Sequence, residues 1–389
     1  MTIETITTTP ALRSVCEALQ DSTFITVDTE FVRDKTYWPI LCLIQVSGPE
    51  AGSEVAIDPL ADGIDLAPLH DLLANPAILK IFHAARQDLE IFFHAMGKVP
   101  HPIFDTQVAA MVCGYGDQVG YEALVRKISD ADLDKSSRMT DWARRPLNER
   151  QLAYALSDVT YLRDIYLSLS AQLDRNGRTD WLKEEMAVLT TPGTYTNEPA
   201  DAWKRIKVRT NKPKFLAVLS EIAAWREVEA QTRDLPRNRI LKDESLLDVA
   251  GSMPRSIADL ARIRGVGQGF ADGKLGKSLL SAVERGLNLP KSEIPSLRKS
   301  DPLPQGLGPL TDLLKVLLKR CCEEVGVASR LVATSDDLER IAADDNADVP
   351  ALKGWRRELF GEEALRLKQG KIALSAEGKT VKLIHIGVD

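Results

Sequence analysis

Five cysteines and five histidines in 389 residues are too few and too scattered to build a zinc centre. No CxxC and no Cys/His spacing of the kind zinc needs is present. Cys16, Cys42 and Cys113 stand among apolar residues and Cys321-Cys322 is an adjacent pair, so reduced thiols are expected rather than a disulfide framework. No apolar run approaches the ~20 residues that cross a bilayer. Met1-Thr2-Ile3-Glu4 lacks the basic start and apolar core of a secretory leader, so the expectation is a cytoplasmic protein without a membrane helix. An excess of positive charge is missing too. Lys and Arg number 50 against 56 Asp and Glu, a net charge of -6, which on the mean counts against a polyanionic partner.

What is present exceeds one ordinary core, and the length suggests two or three domains. Up to about residue 190, strands alternate with helices, the pattern of an α/β domain. Thr23–Phe31, Leu41–Ser47 and Glu54–Asp58 read as strands of a meander, and Ile78–His83 and Ile103–Asp105 as further strands. Leu66–Leu73, Gln87–Met96 (ended by Gly97), Glu122–Ile128 and Asn148–Leu173 have helical spacing. Near Thr191 a linker begins and the pattern becomes helical. Lys204 to Lys214 holds six basic residues and no acid, a stripe that the net charge conceals. Leu287 to Pro309, with five prolines, reads as a second linker. Beyond it the chain is again helical, with a tail, Ile372–Ile384, that suits a β-hairpin.

The chemistry concentrates in Phe24-Ile25-Thr26-Val27-Asp28-Thr29-Glu30-Phe31. Side chains alternate along a strand, so Asp28 and Glu30 share one face and their carboxylates repel. A hard divalent cation such as Mg²⁺ or Mn²⁺ relieves that repulsion; two unrelated acids at an exposed strand end are the plainer alternative. Asp88 stands near the start of a helix that follows a strand, where sites form in α/β sheets, and where an acid also simply suits the helix dipole. Tyr154 and Asp158, four apart, share one helix face, as ordinary rim residues also do. Ile263–Gly269 has the wording of a phosphate-binding glycine hairpin, but a turn between helices is the favoured reading there.

Taken together, Asp-x-Glu on the first strand, Asp88 after a later strand and Tyr-x-x-x-Asp on a helix resemble the three exonuclease motifs of the DEDD superfamily, tyrosine subclass. Phe31-Val32-Arg33, Leu43-Ile44-Gln45, Phe82–Leu89, Phe104–Gln107 and Thr140-Asp141-Trp142-x-x-Arg145-Pro146-Leu147 are similar to the ribonuclease D family. Leu216 to Gly286 resembles the helicase-and-RNase-D C-terminal (HRDC) domain, and residues 308 to about 370 a degenerate second copy with an acidic cluster in place of the basic turn. The resemblance implies a ribonuclease H-like mixed α/β exonuclease domain over 1–195, then two small all-α domains over 208–289 and 305–389. It implies 3′–5′ exoribonuclease activity that removes 5′-mononucleotides with two divalent ions, Mg²⁺ or Mn²⁺, held by Asp28, Glu30, Asp88 and Asp158, with Tyr154 orienting the attacking water. Phe31, Gln45 and His83 are implied substrate contacts. RNA, especially tRNA precursors, is the implied partner of a monomeric enzyme; a DNA exonuclease of the same superfamily and a non-catalytic nucleic-acid adaptor are the alternatives.

Overall fold

Short runs of branched and aromatic residues set the strands of the N-terminal half. The computed structural model describes residues 4–134, 136–138, 140–296 and 304–387, and it divides into two units. The first comprises residues up to Glu30, Cys42–Thr194 and the C-terminal region from 300; the second comprises Phe31–Leu41 and Tyr195–Lys299. Part of the expected second linker, 297–303, lies outside the described residues, as do Met1 to Ile3.

In the first unit β1 (Thr5–Ile6), β2 (Phe24–Val32), β3 (Ile40–Ser47), β4 (Val55–Ile57), β5 (Leu79–Phe82) and β6 (Ile103–Asp105) form one sheet in the order β1-β4-β3-β2-β5-β6. The meander order of β2, β3 and β4 is as expected. β3 runs antiparallel to β4, while β2 with β5, β5 with β6 and β1 with β4 are parallel, so the sheet is mixed. Six consecutive residues of β3 are buried, Cys42 to Ser47, which means that both faces of the sheet are covered there.

The cover comes from α1 (Thr9–Leu19), α2 (Ala67–Ala74), α3 (Arg86–Met96), α4 (Thr106–Val112), α5 (Tyr121–Ile128), α6 (Glu149–Arg175) and α7 (Thr179–Leu189). α6 is the longest, at 27 residues. A reciprocal capping box of Asn148 and Gln151 starts it, and Leu152, Ala155, Val159, Leu162, Ile165, Leu169 and Leu173 bury one stripe along its length. α7 extends the domain beyond the helix expected to end at Leu173. Gly177, at φ 65, makes the turn that separates the two helices.

The C-terminal region of this unit is mostly helical. Its helices, chiefly Gly308–Val325, Ser335–Ala343 and Glu362–Lys368, are followed by a two-stranded antiparallel hairpin of β7 (Ile372–Glu377) and β8 (Thr380–His385). The region is built onto α7 and the end of α4. The rings of Trp181 and Trp355 stack at 4.3 Å and 9°, Arg356 pairs with Glu184 and Glu185, and Ala328 N–H donates to the Met111 carbonyl at 2.9 Å. Arg178 donates to the carbonyls of Val112 (3.0 Å) and Gly326 (3.1 Å), one from each side of the junction.

The second unit is helical: α8 (Pro213–Arg233), α9 (Arg237–Ile240), α10 (Asp243–Ser252), α11 (Ile257–Ala261), α12 (Gln268–Asp272) and α13 (Lys274–Leu287). Ile263 to Gly267 lie in the turn between α11 and α12, the reading favoured from the sequence, and Gln268 and Gly269 open α12. Ala202, Trp203 and Ile206 are buried in the core of this unit, so the core takes in residues just before the basic stripe and inside it. The charged members of the stripe, Lys204, Arg205, Lys207, Arg209, Lys212 and Lys214, are all exposed. Tyr37 and Trp38, from the segment between β2 and β3, also pack in this core.

Candidate active site

Three elements of the first unit bring the acids together. β2 supplies Asp28 and Glu30. The Thr26 hydroxyl on the same strand donates to the Val159 carbonyl at 3.0 Å, which ties the strand to α6 beside Asp158. One carboxylate oxygen from each of Asp28, Glu30 and Asp158 lies within 4.8 Å of the other two, a separation that one divalent cation bridges. All three are partly buried. Asp88 lies outside this group of three but beside it. It is buried on the first turn of α3, and the Thr29 hydroxyl, between Asp28 and Glu30 in sequence, donates to its Oδ1.

The electrostatics are those of unrelieved like charge. Burial, then Asp158, Asp88 and Glu30, hold the Asp28 carboxyl well above the ordinary carboxylate range. Burial with Asp158 and Asp88 pushes Glu30 up to about 8, and burial pushes Asp88 and Asp158 each to about 7. Tyr154, on the same face of α6, lies close enough to Asp158 for its phenol to favour the ionised carboxyl. Burial and the negative charges of Asp158, Glu30 and Asp28 raise its phenol above the ordinary value, so it stays a neutral donor. An all-oxygen, mutually repelling donor set of this kind fits a hard divalent cation.

The shell around the acids explains motifs whose roles the sequence leaves open. Asp105 accepts from Ala84 N (3.0 Å) and Ala85 N (2.9 Å) and caps α4 through Gln107 N (2.8 Å). It thereby holds the turn that feeds α3, in which Ala84 adopts the left-handed φ of 57. Arg145 grips both oxygens of Asp58 at 2.6 and 2.7 Å and the carbonyls of Cys42 (2.6 Å) and Trp142 (2.7 Å). That anchors the loop whose Trp142 ring rests 6.2 Å from the ring of Tyr154. Tyr121 donates to the Ser157 carbonyl at 2.9 Å, next to Asp158, and feels the charge of both Asp158 and Asp28. Arg138 lowers the pKa of Glu30 and Asp158, so its positive field reaches this cluster. None of Thr29, Asp105, Tyr121, Arg138 or Arg145 was assigned a role from sequence.

The three expected substrate contacts fare differently. Gln45 is fully buried on β3, and neither end of its amide has a hydrogen-bond partner among the described residues, so it is a core side chain rather than a rim contact. The closure of both sheet faces over β3 is the reason. His83 is half-buried, with Nδ1 3.0 Å from the Thr106 hydroxyl and its ring 5.5 Å from that of Tyr121. Phe31 follows Glu30 in the chain but belongs to the second unit, where it is half-buried.

Comparison with known proteins adds to this geometry. Residues 3–174 match the 3′–5′ exonuclease family and residues 215–283 the HRDC domain family. The chain is 52% identical over 382 residues to the ribonuclease D of Nitrobacter hamburgensis, which covers 98% of this chain and 99% of that one. It is 51% identical over 379 residues to that of Gluconacetobacter diazotrophicus, covering 97% and 96%. Its structure is similar to that of Escherichia coli RNase D, described as an exoribonuclease involved in structured RNA processing, with a TM-score of 0.80 and 34% identity over 95% of this chain and 99% of that one.

Proposed function

Since the chain belongs to the ribonuclease D family of 3′–5′ exoribonucleases, we propose that it trims the 3′ ends of tRNA precursors and other structured RNAs, one nucleoside 5′-monophosphate at a time, at the site built from Asp28, Glu30, Asp88, Tyr154 and Asp158. The observation that carries the reading is the convergence of Asp28, Glu30 and Asp158 within 4.8 Å beside a neutral Tyr154. Asp28, Glu30 and Asp158 would hold one Mg²⁺ or Mn²⁺, and Asp28 with Asp88 a second. When bound, such ions supply Lewis-acid stabilisation of the charge that builds on the phosphate and make a water more acidic.

The residues do the rest. Hydrolysis forms a bond from the water oxygen to the terminal phosphorus and breaks the bond to the 3′-oxygen of the preceding nucleotide, which leaves with a proton. Tyr154, neutral and beside Asp158, is placed to orient that water by hydrogen bonding, a positioning role that its raised pKa suits better than general-base work. Thr29 fixes one oxygen of Asp88 and so aims the other. Arg138 offsets the crowding of negative charge around Glu30 and Asp158 before a phosphate arrives.

The direct test follows a tRNA precursor labelled at its 3′ end, an equivalent DNA strand and an RNA blocked by a 3′-phosphate, each with Mg²⁺ and with chelator. Release of 5′-monophosphates from the free RNA end in Mg²⁺, abolished by chelator, is expected. Preference for DNA would favour the proofreading-type alternative, and binding without any hydrolysis would favour the adaptor.

A further inference from the structure

The second unit carries a cleft of about 730 Å³ with a basic lining, between the 31–41 segment on one wall and the Pro236–Lys242 turn on the other. Arg33 stands on the first wall, and Arg239 and Lys242 on the second. Asp34 is the acid in the lining. Arg239 and Lys242 are exposed, and among the described residues neither has an acidic partner. Asp243, beside Lys242, is engaged by Arg226 at 2.6 Å.

The floor of the cleft is held stiffly. Glu227, with its side chain 1% exposed, accepts two hydrogen bonds from Arg237, at 2.5 Å each, and one from the Tyr37 hydroxyl. The Arg237 guanidinium lies over the Tyr37 ring at 4.8 Å. Asp234 accepts from the backbone N–H groups of Tyr37 (3.0 Å) and Trp38 (2.9 Å), which pins the tip of the 31–41 segment to the end of α8. The charge of Arg237 is thus spent on Glu227, while Arg239 and Lys242 remain available on rigid backbone. One wall leaves the chain three residues after Glu30, directly from the strand that carries two of the acids.

We infer that this cleft is a binding site for the phosphodiester backbone of the RNA substrate, with Arg239 and Lys242 as the phosphate ligands and the Tyr37–Glu227–Arg237 clamp as the device that fixes their spacing. Paired cations on a fixed frame suit a chain of phosphates, whose contacts position a nucleic acid without reading its sequence. The inference rests on the RNA-trimming function proposed above. It differs from assigning the grip to the Lys204–Lys214 stripe, whose cations lie along the end of a 3-10 helix, an irregular segment and a helix start.

The test compares full-length variants in chelator, so that binding is measured without hydrolysis. Arg239→Ala/Lys242→Ala is set against Lys212→Ala/Lys214→Ala, an equal change in net charge. With a single-stranded oligoribonucleotide, the cleft variant is expected to lose about tenfold in affinity, and its log–log salt slope to become shallower by about 1.4, at about 0.7 per phosphate contact. The stripe variant should keep the wild-type slope. Lys242→Glu serves as a second variant, because an acid at the N-terminus of α10 suits the helix dipole and keeps the fold; it should weaken binding at least as much as Lys242→Ala. Asp34→Asn should tighten binding, by up to about threefold, the size of one exposed charge interaction. Equal losses from the cleft and stripe variants, or an unchanged slope in the cleft variant, would overturn the inference. Turnover of saturating short RNA in Mg²⁺ separates the two levels: if wild type hydrolyses nothing, the function fails, whereas intact hydrolysis with unaltered affinity removes the cleft alone.

Discussion

Burial is the largest influence on Glu30 in the catalytic unit and on Glu227 in the helical one, and in both it drives the carboxyl toward protonation. The outcomes have opposite sign. Glu227 is surrounded by Arg237, Tyr37 and Arg205, and their hydrogen bonds and charges carry its pKa below the ordinary value. Glu30 is surrounded by Asp158 and Asp88, and its carboxyl rises to about 8. Desolvation is common to both; the partners decide. A buried acid with matched partners is a structural clamp, and buried acids whose repulsion outweighs the partners around them are a site held ready for something the polypeptide does not supply.

Removing one acid from each group should separate them most widely. Asp28→Asn is expected to reduce hydrolysis to background while the metal-free protein stays folded and as stable as wild type, or more so, because a repulsion has been deleted. A single-turnover assay beside a denaturation curve checks both halves. Tyr154→Phe leaves the ligands in place but removes the donor that orients water, and a loss of about 10²- to 10⁴-fold in rate is expected with little change in metal affinity; a rate within twofold of wild type would remove Tyr154 from the chemistry. Glu227→Ala is the reverse of Asp28→Asn. It should cost about 3 kcal/mol in stability, at the low end for a broken buried pair, because Arg205 and Arg237 keep 46% and 35% of their side-chain exposure and can turn to water. Chemical denaturation measures it, and a loss below about 0.5 kcal/mol would mean that the clamp is ornamental.

The smallest effect is in pH. The clustered carboxyls have raised folded pKa values, so their contribution to metal-free stability is fully present below the ordinary value near 4 and is lost as pH rises through about 7 to 8. Glu227 runs the other way: lowered when folded, it contributes above the ordinary value and loses that contribution only in acid. Mg²⁺ should therefore stabilise the protein more at pH 8.5 than at pH 6, by up to about 2.7 kcal/mol at a hundredfold excess over Kd. A Mg²⁺ shift in melting temperature that is the same at both pH values would break the contrast.

The acid pairs behind the cluster were legible because the geometry within each pair is local. A two-residue spacing on a strand and a four-residue spacing on a helix fix which side chains share a face, whatever the rest of the chain does. Asp105 and Arg145 sat in recognisable wording, but their work consists of hydrogen bonds to Ala84 and Ala85 and to Asp58, contacts across sequence that no periodicity announces. The burial of Gln45 was illegible for a related reason: its wording carried a resemblance, but only the strand order shows that both faces of its strand are covered. The stacking of Trp181 on Trp355 was equally invisible. It also bears on truncation, since a chain ended near Thr194 would lose the partners of α7, and loss of stability is expected there along with loss of RNA contacts.

The central claim, that the clustered acids are a divalent-metal site on which hydrolysis depends, is tested most directly by titrating Mn²⁺ into wild-type and Asp28→Asn protein at pH 8 and following bound ion by electron paramagnetic resonance. The account predicts stoichiometric Mn²⁺ binding to wild type that is lost or greatly weakened in Asp28→Asn, with hydrolysis of RNA rising in step with occupancy. Undiminished binding to Asp28→Asn, or full hydrolysis by wild type before any Mn²⁺ is bound, would contradict it.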